Sequence, residues 1–189
     1  INLAGGTHHA FRDHGEGFCC YNDAAVTARV LQRDCGIKRV LICDLDVHQG
    51  NGTASILSGD SSVFTFSMHG ARNYPVRKEI STLDVELGDG CDDETYLQKL
   101  HAHLPTIIAQ FQPNAMIYLA GADPYEGDRL GRLKLTKAGL QARDRFVMAS
   151  ARDAAIPITV TMAGGYAHDV TDIVEIHFAT VRTAFEVFA

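Results

Sequence analysis

The stretch VLICDLDVHQGNGT, from Val40 to Thr53, begins like a buried strand and then places Asp44, Asp46 and His48 at every second position. Alternate residues of a strand share a face. The spacing therefore predicts that these three side chains converge on one point. Carboxylate oxygens with an imidazole nitrogen suit a divalent ion such as zinc. Other strand-like runs end in equally capable residues. AMIYLAGAD ends at Asp123, ITVTMAGGY ends at Tyr166, and AGGTHHA supplies His8 and His9 beside glycines. In open parallel sheets, ligands bind beyond the carboxyl ends of strands. Four segments distant in sequence are thus expected to meet at one sheet edge.

Singly, each residue has an ordinary structural use. A strand-end aspartate caps the next helix or turn. A buried tyrosine packs with its hydroxyl on backbone. Adjacent histidines in a strand point to opposite faces, so His8 and His9 reach one site only if the backbone turns, which Gly5 and Gly6 permit. As a set, Asp46, His48 and Asp123 with two further histidines and a tyrosine make the parts of a metal hydrolase.

The elements that must position them are legible as alternating patterns. Apolar runs at Val40 to Asp46, Val63 to Met68, Ala115 to Ala120 and Ile158 to Ala163 read as strands covered on both faces. Between them, Asn22 to Asp34, Asp92 to Gln110, Thr136 to Ala154 and Asp169 to Phe188 read as helices. Pro105 is expected to kink or split the second of these. Strands alternating with helices predict an α/β fold with a mainly parallel sheet and helices on both faces.

The 189 residues suffice for one domain with a sizeable core. The formal net charge of -6 argues against a nucleic-acid partner, which requires a basic face. Five cysteines (Cys19, Cys20, Cys35, Cys43 and Cys91) form no C-x-x-C pair, so neither a disulfide scaffold nor a thiolate metal site is expected. A reducing, cytoplasmic setting and no membrane span follow as expectations. The chain opens at Ile1, without a methionine, and is read as a piece of a longer protein.

GGTHHA, DLDVHQGNGT, GADPYEGDRLG and AGGYAHD resemble, in order and approximate spacing, the histone deacetylase superfamily. FSMHGARNYPVRK looks most like its bacterial and class IV-like members. The resemblance covers essentially all of residues 1–189. It implies one catalytic domain of the arginase/deacetylase type, a three-layer α/β/α fold, lacking its N-terminal portion. The activity it implies is a metal-dependent amidohydrolase that removes acetyl or acyl groups from lysine-type amines through a zinc-activated water. A small acetylated amine is the alternative substrate, as in acetylpolyamine amidohydrolases. An inactive acyl-lysine or protein-binding module is the rival from another class.

By that resemblance Asp46, His48 and Asp123 hold Zn2+ or Fe2+. Two-manganese members of the fold carry D-x-H-x-D, whereas here Gly50 takes the last position and Pro124 and Tyr125 follow Asp123, so one catalytic metal is expected. His9 is the implied general base and His8 its electrostatic partner. Asp44 bonds His8, and Asn51 stands where some members have an aspartate against the second histidine. Tyr166 is the implied donor to the developing oxyanion; Ala163 replaces the first of the family's three preceding glycines. Gly17, Phe18, Tyr74 and Leu130 are the implied walls of a substrate channel. Asp44, Asp46, His48, Ser67 and Met68 match a monovalent-cation site, for K+. Cys19 is read as a small packing residue near the pocket.

Overall fold

The computed structural model describes residues 1–189. Five strands form one sheet: β1 (Val40–Asp44), β2 (Val63–Gly70), β3 (Leu83–Leu87), β4 (Ala115–Ala120) and β5 (Ile158–Met162). Their order is β3-β2-β1-β4-β5, and every neighbouring pair is parallel. Five helices complete the fold: α1 (Asp23–Asp34), α2 (Asn51–Ile56), α3 (Asp93–Phe111), α4 (Lys137–Asp153) and α5 (Val170–Phe188).

Alternation along the central strands sorts side chains to the two faces of the sheet. Leu41 and Cys43 of β1, with Met116 and Tyr118 of β4, join the larger core, which includes Leu100, Leu104, Leu140, Val147 and Ile176 from α3, α4 and α5. Val40 and Ile42, with Ile117 and Leu119, join a smaller core with Ala24, Ala25 and Ala28 of α1 and Leu57. Each fully buried side chain of this size contributes about 1.5–3 kcal/mol. The result is three layers, helix on sheet on helix.

Helix starts follow local chemistry. The side chains of Asn22, Asp92, Thr136 and Asp169 accept from the backbone N–H groups of Ala25, Thr95, Gly139 and Thr171. Each such cap is worth about 1 kcal/mol. Pro105 neither splits α3 nor ends it; the helix runs unbroken from Asp93 to Phe111. The proline lies on the exposed face, where the carbonyl it leaves without a donor is open to solvent.

One sequence expectation changes, and two elements are additional. β1 stops at Asp44, and the chain bends through Asp46, Val47 and His48. Strand β3 was not apparent: LDVEL is short and half exposed, and its alternating charges suit a sheet edge rather than a buried run. Helix α2 was also missed, because its six residues (NGTASI) are too few to show a period.

The strand order reverses between β1 and β4: β2 and β3 extend the sheet on one side and β5 on the other. Such a switch point opens a crevice beyond the strand ends. Asp46 follows β1 and Asp123 follows β4, so the two aspartates flank that crevice.

Candidate metal centre and active site

Asp46, His48 and Asp123 are buried, and one ligand atom from each lies within 4.8 Å of the others. His48 Nδ1 is 3.0 Å from Asp46 Oδ1 and 3.1 Å from Asp123 Oδ2. The backbone fixes both carboxylates. Val47 N–H donates to Asp123 Oδ1 at 2.9 Å, and Gly164 N–H donates to Asp46 Oδ2 at 2.8 Å. A Cβ at Gly164 would sit 1.9 Å from Asp123 Oδ2, so only glycine lets this loop close on the pair. The position ahead of it tolerates Ala163 because the close approach falls one residue later.

Two buried carboxylates beside one imidazole repel each other unless a cation joins them. Burial opposes charge on His48, but its hydrogen bonds to Asp123 and Asp46 prevail and push its pKa up to about 10. Burial, then the neighbouring Asp46 charge, lifts Asp123 to about 7. The donor set of two oxygens and one nitrogen suits a divalent cation.

Asp44 does not join this cluster. The three alternating residues diverge because the strand ends at Asp44, and the expectation of one convergence point fails there. Asp44 Oδ2 instead takes His8 Nδ1 at 2.6 Å, while its Oδ1 accepts from Asp46 N–H at 3.2 Å. Burial works against charge on His8, but Asp44 and Asp46 outweigh it and raise its pKa to about 9.

His8 and His9 lie in a turn, with ring centroids 4.2 Å apart. Gly5 and Gly6 precede them at φ 128° and 70°, conformations that favour glycine. His9 Nδ1 is 2.7 Å from Asn51 Oδ1. Burial, and then the charge on His8, lower the His9 pKa to about 4, so this ring is neutral at pH 7. The arrangement sets a cationic imidazole beside a neutral one.

A cavity of about 510 Å3 opens over these groups. His8, His9, Asp46, His48, Asp123 and Tyr166 line it, and so do Gly17, Phe18, Tyr74 and Leu130. Burial raises the Tyr166 phenol to about 12, which keeps it a donor at neutral pH. The Tyr74 ring meets His9 edge-on at 4.9 Å, and Phe18 is 89% exposed at the mouth. A Cβ at Gly17 would strike the His9 ring at 2.4 Å, so glycine is required for this wall to pack there. Cys19 also lines the cavity; burial raises its thiol pKa, and its Sγ donates to the Gly17 carbonyl at 3.3 Å.

Two residues of the monovalent-cation set, Asp44 and Ser67, are neighbours in the sheet. Ser67 pairs with Asp44 in the β1–β2 register, and its hydroxyl lies 2.9 Å from His69 Nδ1. A cavity of about 10 Å3, room for one small guest, touches Asp44 and Ser67 but not Asp46, His48 or Met68.

Several contributors gave no sequence signal. Arg72, Asn73 and Arg132 line the cavity mouth, and Asn73 Nδ2 ties two rim loops by donating to the Leu130 carbonyl at 2.8 Å. Arg143 reaches under the centre from α4. Glu16, inside the GEGF segment, bonds Asn51.

An open parallel α/β sheet with a buried carboxylate–imidazole cluster at its switch point defines the general class, an α/β scaffold carrying a candidate metal centre. The comparisons give the family. The histone deacetylase domain model matches residues 1–181, and the chain belongs to that family. An uncharacterized protein of Picosynechococcus sp. is 46% identical over 99% of this chain and 62% of its own length. Histone deacetylase 2 of Arabidopsis thaliana is 37% identical over 88% of the chain and 44% of its own length. The chain therefore spans roughly half the length of these relatives. Among solved structures, the HD domain of HDA15 superposes with a TM-score of 0.80 at 30% identity, over 94% of this chain and 54% of that one. An acetylpolyamine aminohydrolase from Burkholderia pseudomallei gives 0.78 at 25% identity, over 96% and 53%. The fold is that of these arginase/deacetylase-like neighbours.

Proposed function

We propose that the protein removes an acetyl or short acyl group from a lysine-type amine, using one divalent ion held by Asp46, His48 and Asp123. One observation carries this reading: three buried ligand atoms within 4.8 Å of each other, on the floor of a cavity that His8, His9 and Tyr166 also line. A bound zinc or ferrous ion would polarise the amide carbonyl and lower the pKa of a water to roughly 7. A Cβ at Gly50 would lie 2.4 Å from Asp44 Oδ2, which leaves no room for a further ligand side chain there. That fits a single-ion centre. Potassium beside Asp44 and Ser67 is the corresponding structural-ion proposal.

His9 is neutral at pH 7 and takes the proton from the attacking water. The water oxygen bonds to the carbonyl carbon, the C–N bond breaks, and His9 returns the proton to the departing amine. The products are a carboxylate and a free amine. His8, held cationic by Asp44, keeps His9 from protonating early and favours negative charge building on the carbonyl oxygen. Tyr166 donates a hydrogen bond to that oxygen. Tyr74, Phe18 and Gly17 flank the methylene stem of the substrate.

The acetylpolyamine reading draws on the Burkholderia neighbour. Against it, the cations lining the mouth are Arg72 and Arg132, which share one carboxylate, Asp89. A polycation would meet those two arginines there, whereas an acyl-lysine chain with acidic neighbours would be drawn to them. Zinc-loaded protein is to be assayed on acetyl-lysine peptides and acetylspermidine side by side. Turnover of the peptides that a chelator abolishes supports the proposal. Preference for acetylspermidine would move the assignment to polyamines, and zinc binding with no turnover of either would favour a binding module.

A further inference from the structure

Asn51 contacts two partners through opposite ends of its amide. One end lies 2.7 Å from His9 Nδ1, and the other lies 3.0 Å from Glu16 Oε1. An amide has a donor end and an acceptor end of nearly equal shape, so its orientation is decided by its partners. The Glu16 side chain also accepts from the Tyr74 hydroxyl. That bond, with the bond from Asn51, lowers the Glu16 pKa against the effect of burial. Glu16 is thus ionised at neutral pH and can only accept.

We infer that Glu16 is a positioning residue that locks the Asn51 amide and thereby sets the tautomer of His9. The carboxylate requires the NH2 end of Asn51, so the carbonyl end must face His9. That carbonyl accepts only if His9 Nδ1 carries the proton. Neutral His9 then has a bare Nε2, the form able to take a proton from water. With Glu16 removed, the amide turns over at no cost. Its NH2 end then meets Nδ1, which must be bare, and the proton moves to Nε2. That tautomer cannot act as a base at Nε2. Tyr74 couples the lock to the channel wall, since it bonds Glu16 while its ring packs on His9.

This inference rests on the reading of His9 as the base, and the experiment separates the two. Zinc-loaded protein is assayed with an acetyl-lysine reporter, on the plateau of each variant's pH profile. Glu16→Ala is expected to lower kcat about 10- to 100-fold while KM moves by less than about threefold. The side chain is one-third exposed, so its loss leaves the fold intact. Adding Asn51→Asp to Glu16→Ala is expected to recover most of the loss, because a carboxylate accepts from Nδ1–H whichever way it turns. A packing defect at residue 16 would not be repaired by a change at residue 51. Nitrogen-15 NMR of the neutral ring is expected to show Nδ1–H in the parent and a mixture in Glu16→Ala. Unchanged kcat in Glu16→Ala, a loss that persists in the double variant, or an unchanged His9 tautomer would each overturn the lock. If His9→Ala keeps its activity, the base assignment falls, and the NMR tautomer alone then decides for or against Glu16.

Discussion

The Arg143 guanidinium donates a 2.7 Å hydrogen bond to the carbonyl of Gly121, two residues before Asp123. The same nitrogen reaches the carbonyl of Leu45 at 3.2 Å, directly before Asp46. One buried cation on α4 thus spans the tips of β1 and β4 and sets the spacing of the two carboxylates. Asp144 balances its charge and accepts from Tyr118 and Thr180, both at 2.5 Å.

Removing one member of that pair strands the other. Arg143→Met is expected to cost about 3–5 kcal/mol in denaturant unfolding, while Arg143→Met with Asp144→Leu recovers much of it. In the double variant zinc affinity still falls by about tenfold, because the two carbonyls lose their tether. Undiminished affinity would show that the strand tips hold their spacing without Arg143.

Zinc should stabilise the folded chain by relieving repulsion between Asp46 and Asp123. At a free concentration 100 times Kd the gain is about 2.7 kcal/mol, read as a rise in Tm. Asp123→Asn or His48→Ala should abolish that rise. An absent rise in the parent chain, with no heat of binding by calorimetry, would remove the metal centre from the proposal.

Asn51→Asp places an anion against His9 Nδ1, so the His9 pKa rises from about 4. The sign is set by the lowered folded value. The contribution of neutral His9 to stability is full above about pH 6.5 and is lost as pH falls through about 4. In the variant the loss is smaller, and the acid limb of kcat/KM moves to higher pH. NMR titration of His9 measures the shift directly, and no upward change would contradict the pairing.

Tyr166→Phe deletes one donor without emptying the cavity. The expected loss in kcat is about 100- to 1,000-fold, with zinc affinity retained. A variant that hydrolyses acetyl-lysine at the parent rate would take the oxyanion role away from Tyr166.

Particular residues show how far the linear chain could be read. VLICD and AMIYLA declared themselves as strands because both faces of a central parallel strand are apolar. LDVEL did not, because an edge strand is partly polar and short. Asp46, His48, Asp123, His8, His9 and Tyr166 were each visible as chemistry at a strand end or beside glycines. Two-residue periodicity would put Asp44 in the ion cluster, but it holds only while the backbone stays extended, and the chain bends after that residue; the family resemblance places Asp44 on His8, where it is found.

By itself the sequence determined the alternation of strands and helices, the caps that start the helices, and the types of group available for chemistry. Those are local matters, set by side-chain period and by hydrogen bonds a few residues apart. Only the tertiary structure decided that Glu16 grips Asn51 and that Arg143 ties Leu45 to Gly121. Those pairings span 35 and up to 98 residues. They arise because the strand order reverses between β1 and β4 and brings remote loops to one crevice, a fact of topology that no local pattern carries.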